Sequence, residues 1–164
     1  MNKVKNIQLL YQRLGLTPSS TLMLITHYER IKGGNPPSDR SCRMFCKGEI
    51  VPKNGFNHFL SLLDGHIDMF IKEVFSNHKP NKMTLVGFNN SDELWQQNES
   101  MFGCPIELYN AMINRFIVVA KLLGISINVI FAQEDEIQES DWFVTYNLSL
   151  PIDDVIYEAL STLT

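Results

Sequence analysis

Two long segments of the sequence repeat apolar residues at intervals of three and four, and these segments constrain the fold most strongly. In 56–76, the repeating positions are Phe59, Leu60, Leu63, Ile67, Phe70, Ile71 and Val74. In 105–123, they are Ile106, Tyr109, Ile113, Phe116, Ile117 and Ala120. This spacing places the apolar side chains on one face of a helix. We therefore predict two long helices that bury these faces in a core.

Shorter segments complete the prediction of an α+β fold. Helical spacing and capping residues predict further helices at about 3–14 and 18–32, a brief helix that holds Trp95, and a last helix at 152–163. β-branched and aromatic residues predict strands at 83–88, 125–131 and 142–150. Only an acidic connector, 133–141, separates the last two strands, so an antiparallel hairpin is the simple arrangement. Residues 38–55 show no clear period, and we expect them to be irregular.

Length and composition favour one globular protein in the cytoplasm. The chain has 164 residues, of which 45% are apolar, and this suffices for a substantial core. We divide it into a basic, helix-turn-helix-like region at 1–55 and a mixed, acidic α/β region at 56–164, packed as one unit. The N-terminus lacks an apolar signal segment, and the longest apolar stretch is too short to span a bilayer. Three cysteines without an export signal indicate free thiols in a reducing compartment.

Positive charge is concentrated in the first third of the chain. Residues 1–56 contain nine basic and three acidic side chains, which gives a formal charge of +6. The remainder carries five basic and fifteen acidic side chains, a formal charge of −10. Such a division indicates that one end of the protein faces a polyanion, whereas the alternative is a solvated basic face without a ligand.

The segment 6–31 has the pattern of a helix-turn-helix. A first helix ends at Leu14-Gly15-Leu16, Thr17 can cap the second helix, and Pro18 occupies its first position. The second helix of such a motif offers its side chains to base edges in the major groove. The residues that we expect on its exposed side are Ser20, Met23, His27 and Arg30, with Ser19 and Thr21 as phosphate ligands.

A second group of basic residues follows the helix-turn-helix segment. Arg40, Arg43 and Lys47 lie close together in the sequence, with Lys32 before them and Lys53 after them. On irregular backbone these side chains suit contacts to the phosphate backbone of DNA. A flexible, solvated loop is the alternative.

Two other kinds of site are considered and set aside. Cys42 and Cys46, with His58 and His66, resemble a two-Cys, two-His zinc site, but the histidines are eight residues apart, so buried structural cysteines are the better interpretation. Asp64, His66 and Asp68 lie close in sequence, and 134–136 is an acidic cluster. No activated nucleophile, phosphate loop or dinucleotide motif accompanies them. We therefore predict no catalytic residues, no metal and no cofactor.

The run Leu24-Ile-Thr-His-Tyr-Glu-Arg-Ile-Lys-Gly-Gly-Asn-Pro-Pro resembles the N-terminal DNA-binding part of FlhC, the C subunit of the bacterial flagellar master activator. The shared features are Tyr28-Glu29, Gly33 or Gly34, and Pro36-Pro37, and the resemblance covers about 6–38. It implies a transcription regulator with a helix-turn-helix. The four-cysteine zinc cluster of that family has no counterpart, because only Cys104 lies beyond residue 46. The zinc half and its partner subunit therefore do not carry over.

These patterns predict a non-enzymatic regulator that binds double-stranded DNA. The helix from Pro18 to Lys32 would contact the major groove, and the segment from Arg40 to Lys53 the backbone. We expect a homodimer, or a hetero-oligomer with a second regulator subunit, because two half-sites increase discrimination. The alternative is a protein–protein adaptor, such as a secretion chaperone, an immunity protein or a phage or plasmid inhibitor. Its binding face would include Trp142, Phe143 and Tyr146.

Overall fold

The computed structural model describes residues 3–77, 81–131, 145–146 and 150–163. The helices of these ranges are α1 (Lys3–Arg13), α2 (Pro18–Lys32), α3 (Asp39–Cys46), α4 (Phe56–Asn77), α5 (Ser91–Gln97), α6 (Ile106–Leu122) and α7 (Ile152–Thr162). A short 3₁₀ helix covers Glu99–Met101, and the strands are β1 (Lys82–Gly87), β2 (Ser126–Phe131) and β3 (Thr145–Tyr146). The predicted α+β class is confirmed. None of the described helices has the length and apolarity that crossing a membrane requires.

The turn between α1 and α2 forms as its sequence predicts. Gly15 has a φ of 66°, which is the left-handed conformation that glycine adopts without steric cost. Thr17 caps α2: its side chain accepts a hydrogen bond from the backbone N–H of Ser20 at 3.2 Å. The Ser20 hydroxyl in turn accepts from the Thr17 N–H at 2.8 Å, which completes a capping box. Pro18 follows at the first helical position, where its missing N–H costs nothing.

The prediction that 38–55 is irregular is wrong for its first half, which forms α3. Ser38 caps this helix by accepting a hydrogen bond from the Ser41 N–H at 3.2 Å. Only Cys42 and Phe45 of α3 are buried, so the helix is anchored by one pair at a spacing of three. A single such pair is too short a pattern for periodicity to detect.

The sheet is parallel, and the predicted antiparallel hairpin is therefore wrong. Its strand order is β2-β1-β3, and β1 pairs in parallel with both neighbours. α6 lies between β1 and β2 in the chain, so the three form a β-α-β crossover, which requires parallel strands. β1 is buried from Met83 to Gly87, as is typical of a central strand covered on both faces. The connector 133–141 and most of the predicted third strand lie outside the described residues.

One continuous core joins the N-terminal helices to the rest of the protein. Tyr28 of α2 stacks on Phe59 of α4, with ring centroids 5.5 Å apart, and meets Phe56 edge to face at 5.6 Å. The Tyr28 hydroxyl donates a hydrogen bond to the Asn54 carbonyl at 2.7 Å. Both long helices contribute their predicted faces, because Leu63 of α4 and Phe116 of α6 are fully buried.

Three histidines fix α7 to the body of the protein. His27 of α2 bonds through Nε2 to Asp153 at 2.6 Å. Two histidines of α4 contact the other end of α7, where His58 meets the Thr162 hydroxyl at 2.6 Å and His66 meets Glu158 at 2.8 Å. The last helix is thus held by polar contacts in addition to its buried apolar face.

Truncation of a core leucine on α4 tests this packing. Leu63 is 0% exposed, and Leu63→Ala is expected to lower the free energy of unfolding by about 2–5 kcal/mol, because it removes buried area and leaves a cavity. The matched control is Leu122→Ala at a side chain that is 82% exposed, which should change stability by less than about 0.5 kcal/mol. Urea unfolding followed by circular dichroism measures both. Equal losses would contradict the described core.

Candidate nucleic-acid interface

Three of the residues predicted to contact DNA from α2 are buried. Ser20 is 2% exposed, Thr21 is 0% exposed and His27 is 6% exposed, so the expectation that they face DNA is wrong. Ser20 belongs to the capping box, and the Thr21 hydroxyl contacts the Cys46 thiol at 3.3 Å. His27 is held by Asp153 of α7.

The physical reason for this burial is that neighbouring elements cover α2 on several sides. α2 packs against α3, α6 and α7, and Tyr28 joins it to α4. The predicted apolar face accounts for only part of this contact, since α3 and α7 also cover polar positions. Between the two ends of α2, the accessible side chains form one stripe at helical spacing, with Ser19, Met23 and Arg30 exposed and Leu22 and Thr26 partly exposed.

The accessible stripe of α2 lines a groove. This groove has a volume of about 410 Å³ and is also lined by Trp95, Phe102 and Gly103. A recognition helix presents its side chains outward into the DNA major groove. Here the remaining candidates for base contact, Met23 and Arg30, line a groove whose other wall is formed by Trp95 and Phe102. The sequence did not indicate Trp95 or Phe102, because they are distant from α2 along the chain and only tertiary packing brings them there.

The predicted basic segment lies on α3 and extends just past its end, and the structure gives it one outward face. Arg40, Arg43 and Lys47 follow one another at intervals of three and four, and all three are exposed. The opposite face holds the buried Cys42 and Phe45. The prediction of an irregular backbone for this segment is therefore wrong, and the helix displays these charges in one row.

Arg30 and Lys32 add positive charge at the end of α2. Both side chains are exposed, and the Lys32 ammonium donates a hydrogen bond to the Asn54 carbonyl at 3.1 Å. Glu29, by contrast, is buried and accepts a hydrogen bond from the Asn54 side chain. One of the few acidic side chains of this region is thus withdrawn from the surface.

The basic side chains of the protein differ in whether they form ion pairs. Arg13 and Arg115 form ion pairs with Asp64 and Asp68, for example Arg13 Nη2 to Asp68 Oδ2 at 3.2 Å. Over the residues that the structure describes, Arg40, Arg43 and Lys47 form no ion pair, and neither do Arg30 and Lys32. Their charge is available to an external anion.

The thiols that resemble a zinc site are held apart from the histidines. Burial raises the pKa of Cys42 to about 11, with a further contribution from the neighbouring Cys46, so its thiol keeps its proton at neutral pH. Burial likewise raises the pKa of Cys104. His58 and His66 are bonded to α7. Within the described ranges, no three His, Cys, Asp or Glu side chains converge on one point.

The carboxylates considered for catalysis serve in ion pairs. Asp64 and Asp68 contact Arg13 and Arg115, and His66 bonds to Glu158 at 2.8 Å. The acidic cluster 134–136 lies outside the described residues, as do Trp142 and Phe143 of the alternative binding face.

A second, larger cleft was not predicted at all. It has a volume of about 1080 Å³ and is lined by residues of α1, α4 and α6. Its apolar lining includes Ile71, Phe75 and Val118, and the paired Arg115 and Asp68 lie at its edge. The lining carries charges of both signs, from Arg13, Lys72 and Arg115 and from Asp68 and Glu107.

Comparison of the chain with protein-family models, with curated proteins and with solved structures gave no match.

The groove beside α2 depends on a close approach that only glycine allows. Gly103 has a φ of +85°, and a Cβ at this position would overlap the His27 ring. Gly124 has a similar φ of +74° but open space around it. We expect Gly103→Ala to lower the free energy of unfolding by about 1–3 kcal/mol more than Gly124→Ala, because the backbone strain is shared and only the overlap differs. Urea unfolding of both variants measures this difference, and equal effects would contradict the close approach.

Because the pKa of Cys42 is raised, the free energy of unfolding is expected to depend on pH in the alkaline range. The unfolded chain releases this proton near the ordinary value of 9.0, whereas the folded protein retains it up to about 11. The folded state thus binds more protons in that interval, and the free energy of unfolding is expected to fall as the pH rises from about 9 to about 11. Urea unfolding across this range should show a shallower decline in Cys42→Ala. Identical slopes in both proteins would contradict the assignment.

Proposed function

We propose that the chain is a DNA-binding transcriptional regulator whose α3 face contacts the phosphate backbone of double-stranded DNA. The observation that carries this proposal is the exposed row of Arg40, Arg43 and Lys47, none of which forms an ion pair with a described carboxylate. Lys32, which is exposed at the end of α2, adds a further positive charge. Arginine and lysine side chains on one surface bind phosphates by releasing condensed counterions.

The charge distribution and the resemblance to FlhC both support a regulator. The first 56 residues carry a formal charge of +6 against −10 for the remainder, so a polyanion would approach the protein from the α3 side. Of the α2 residues first expected to contact DNA, the base candidates Met23 and Arg30 and the phosphate candidate Ser19 remain accessible. A homodimer, or a complex with a second regulator subunit, would place two such surfaces on neighbouring half-sites.

A second candidate function is that of a protein–protein adaptor, such as a secretion chaperone, an immunity protein or a phage or plasmid inhibitor. The observation in its favour is the cleft along α6, where Val118 and Leu123 are apolar, exposed and part of the lining. An adaptor of this kind would bind one protein partner with little dependence on salt, whereas a DNA-binding regulator would show steep salt dependence.

Fluorescence anisotropy on mixed-sequence duplex DNA at several salt concentrations tests the proposal. If roughly three to five phosphates are contacted, the slope of log K against log salt should be about −3 to −4.5. Arg43→Gln and Lys47→Gln should each weaken binding to all sequences alike and make the slope shallower by about 1.

The matched control is Lys121→Gln, which removes an exposed positive charge from α6. It should leave both the affinity and the slope unchanged, because Lys121 does not belong to the basic row. Binding that is absent at the lowest salt, or that falls equally in Lys121→Gln, would contradict an interface on α3.

A further inference from the structure

The groove beside α2 has an aromatic wall that is held in a fixed orientation. The Trp95 indole donates its N–H to the Cys104 carbonyl at 2.8 Å, and its ring centroid lies 5.0 Å from that of Phe102. The His27 ring meets Phe102 edge to face, with centroids 5.4 Å apart. Phe102 nevertheless remains 45% exposed. An aromatic ring that is anchored on two sides and open to solvent is suited to stacking on a planar ligand.

The polar side of the groove is positive. Arg30 lines it with a guanidinium that pairs with no carboxylate in the described part of the chain, and the groove lining contains no aspartate or glutamate. Ser19 adds an exposed hydroxyl. His27 also lines the groove and is 6% exposed; its Nε2 is bonded to Asp153, while its buried Nδ1 has no hydrogen-bond partner among the described residues. These groups together favour an anionic ligand over a neutral or cationic one.

The size and chemistry of the groove select one class of ligand. Its volume of about 410 Å³ falls within the range of small-molecule sites, roughly 300–1000 Å³. Aromatic side chains stack on nucleobases, and arginine binds phosphate through a planar fork of donors. An inorganic anion would leave Trp95 and Phe102 unused, and an apolar ligand would leave Arg30 unpaired. A planar base joined to a phosphate uses both sides.

We infer that the groove between α2 and the segment Trp95–Gly103 binds one nucleotide, with the base against Trp95 and Phe102 and the phosphate at Arg30. The nucleotide is either a free mononucleotide or an unstacked base of a single strand, since both present the same chemistry. This site is separate from the α3 face, and its occupation does not depend on the binding of duplex DNA there.

Trp95 itself reports on the groove. The chain has two tryptophans, so Trp142→Phe leaves Trp95 as the single indole fluorophore. In this background, we would titrate adenosine monophosphate, adenosine, inorganic phosphate and a short oligodeoxyadenylate, and follow Trp95 emission. Quenching that saturates with adenosine monophosphate, at concentrations well below those needed for adenosine or phosphate alone, is the expected result.

Two substitutions separate the contributions of the ring and the charge. Phe102→Ala removes a stacking surface and should weaken binding by roughly tenfold or more. Arg30→Gln should reduce the preference for adenosine monophosphate over adenosine, and its exposed position makes unfolding an inadequate explanation of the loss. Tyr157→Ala on α7 and Lys121→Gln on α6 are the matched controls, because both remove exposed side chains outside the groove. Both should bind as the parent protein does.

Each result of the Trp95 titration either supports or overturns the nucleotide site. Saturable quenching by the mononucleotide supports a free-nucleotide site, and quenching by the oligonucleotide alone supports capture of an unstacked base. The absence of saturable quenching by either ligand, or equal binding of phosphate and mononucleotide, overturns the inference. Because adenosine monophosphate is followed through Trp95, this result stands apart from the duplex experiment. If no nucleotide binds, the proposal that the α3 face binds duplex DNA still stands. If no duplex binds, the inference of a nucleotide site in the groove still stands.

Discussion

The packing of α2 inside the protein is the constraint on which the rest of the structure depends. Tyr28 stacks on Phe59 with ring centroids 5.5 Å apart, and its hydroxyl donates a hydrogen bond to the Asn54 carbonyl. α2 is therefore joined both to α4 and to the loop that precedes α4. His27 joins α2 to α7 through Asp153. A helix that is held from several sides keeps only a narrow accessible stripe. That stripe becomes part of a groove, and the row of basic side chains is displayed by the adjacent α3 instead.

The treatment of charge explains why the α3 face is the better candidate for contact with a polyanion. Arg13 and Arg115 are neutralised by Asp64 and Asp68, so their attraction to an external anion is reduced. Arg40, Arg43 and Lys47 form no ion pair with the described residues, and like charges at this spacing repel one another. Bound phosphates would offset that repulsion. The same reasoning applies at Arg30, whose guanidinium shares its groove with two aromatic rings but with no carboxylate of the described residues.

Local sequence patterns were sufficient to predict features that depend on one secondary-structure element alone. The faces of α4 and α6 followed from apolar spacing, and the start of α2 followed from Thr17 and Pro18. Predictions were wrong where the structure of a segment depends on contacts with other secondary-structure elements. The connector 133–141 led to the prediction that the strands on either side of it pair with each other, whereas β2 and β3 each pair with β1. In α3, Cys42 and Phe45 form too short a pattern to detect.

The candidate site was the part least accessible from sequence. Arg40, Arg43 and Lys47 were identified by charge alone, because an exposed basic row needs no tertiary information. The burial of His27 depends on Asp153, far away in the chain, and the aromatic wall of the groove depends on a turn at Gly103. The spacing of residues within α2 does not predict these contacts. Function inferred from one helix therefore assigned base contacts to side chains that serve the core.

The most direct test of the α3 face is a ¹H–¹⁵N correlation spectrum of the protein recorded during titration with a short duplex. This measurement reports the binding surface residue by residue and needs no substitution. The account predicts that the largest amide shifts fall in 39–47 and at the end of α2 near Lys32. Shifts confined to the cleft lined by α1, α4 and α6, or no shifts at low salt, would contradict it.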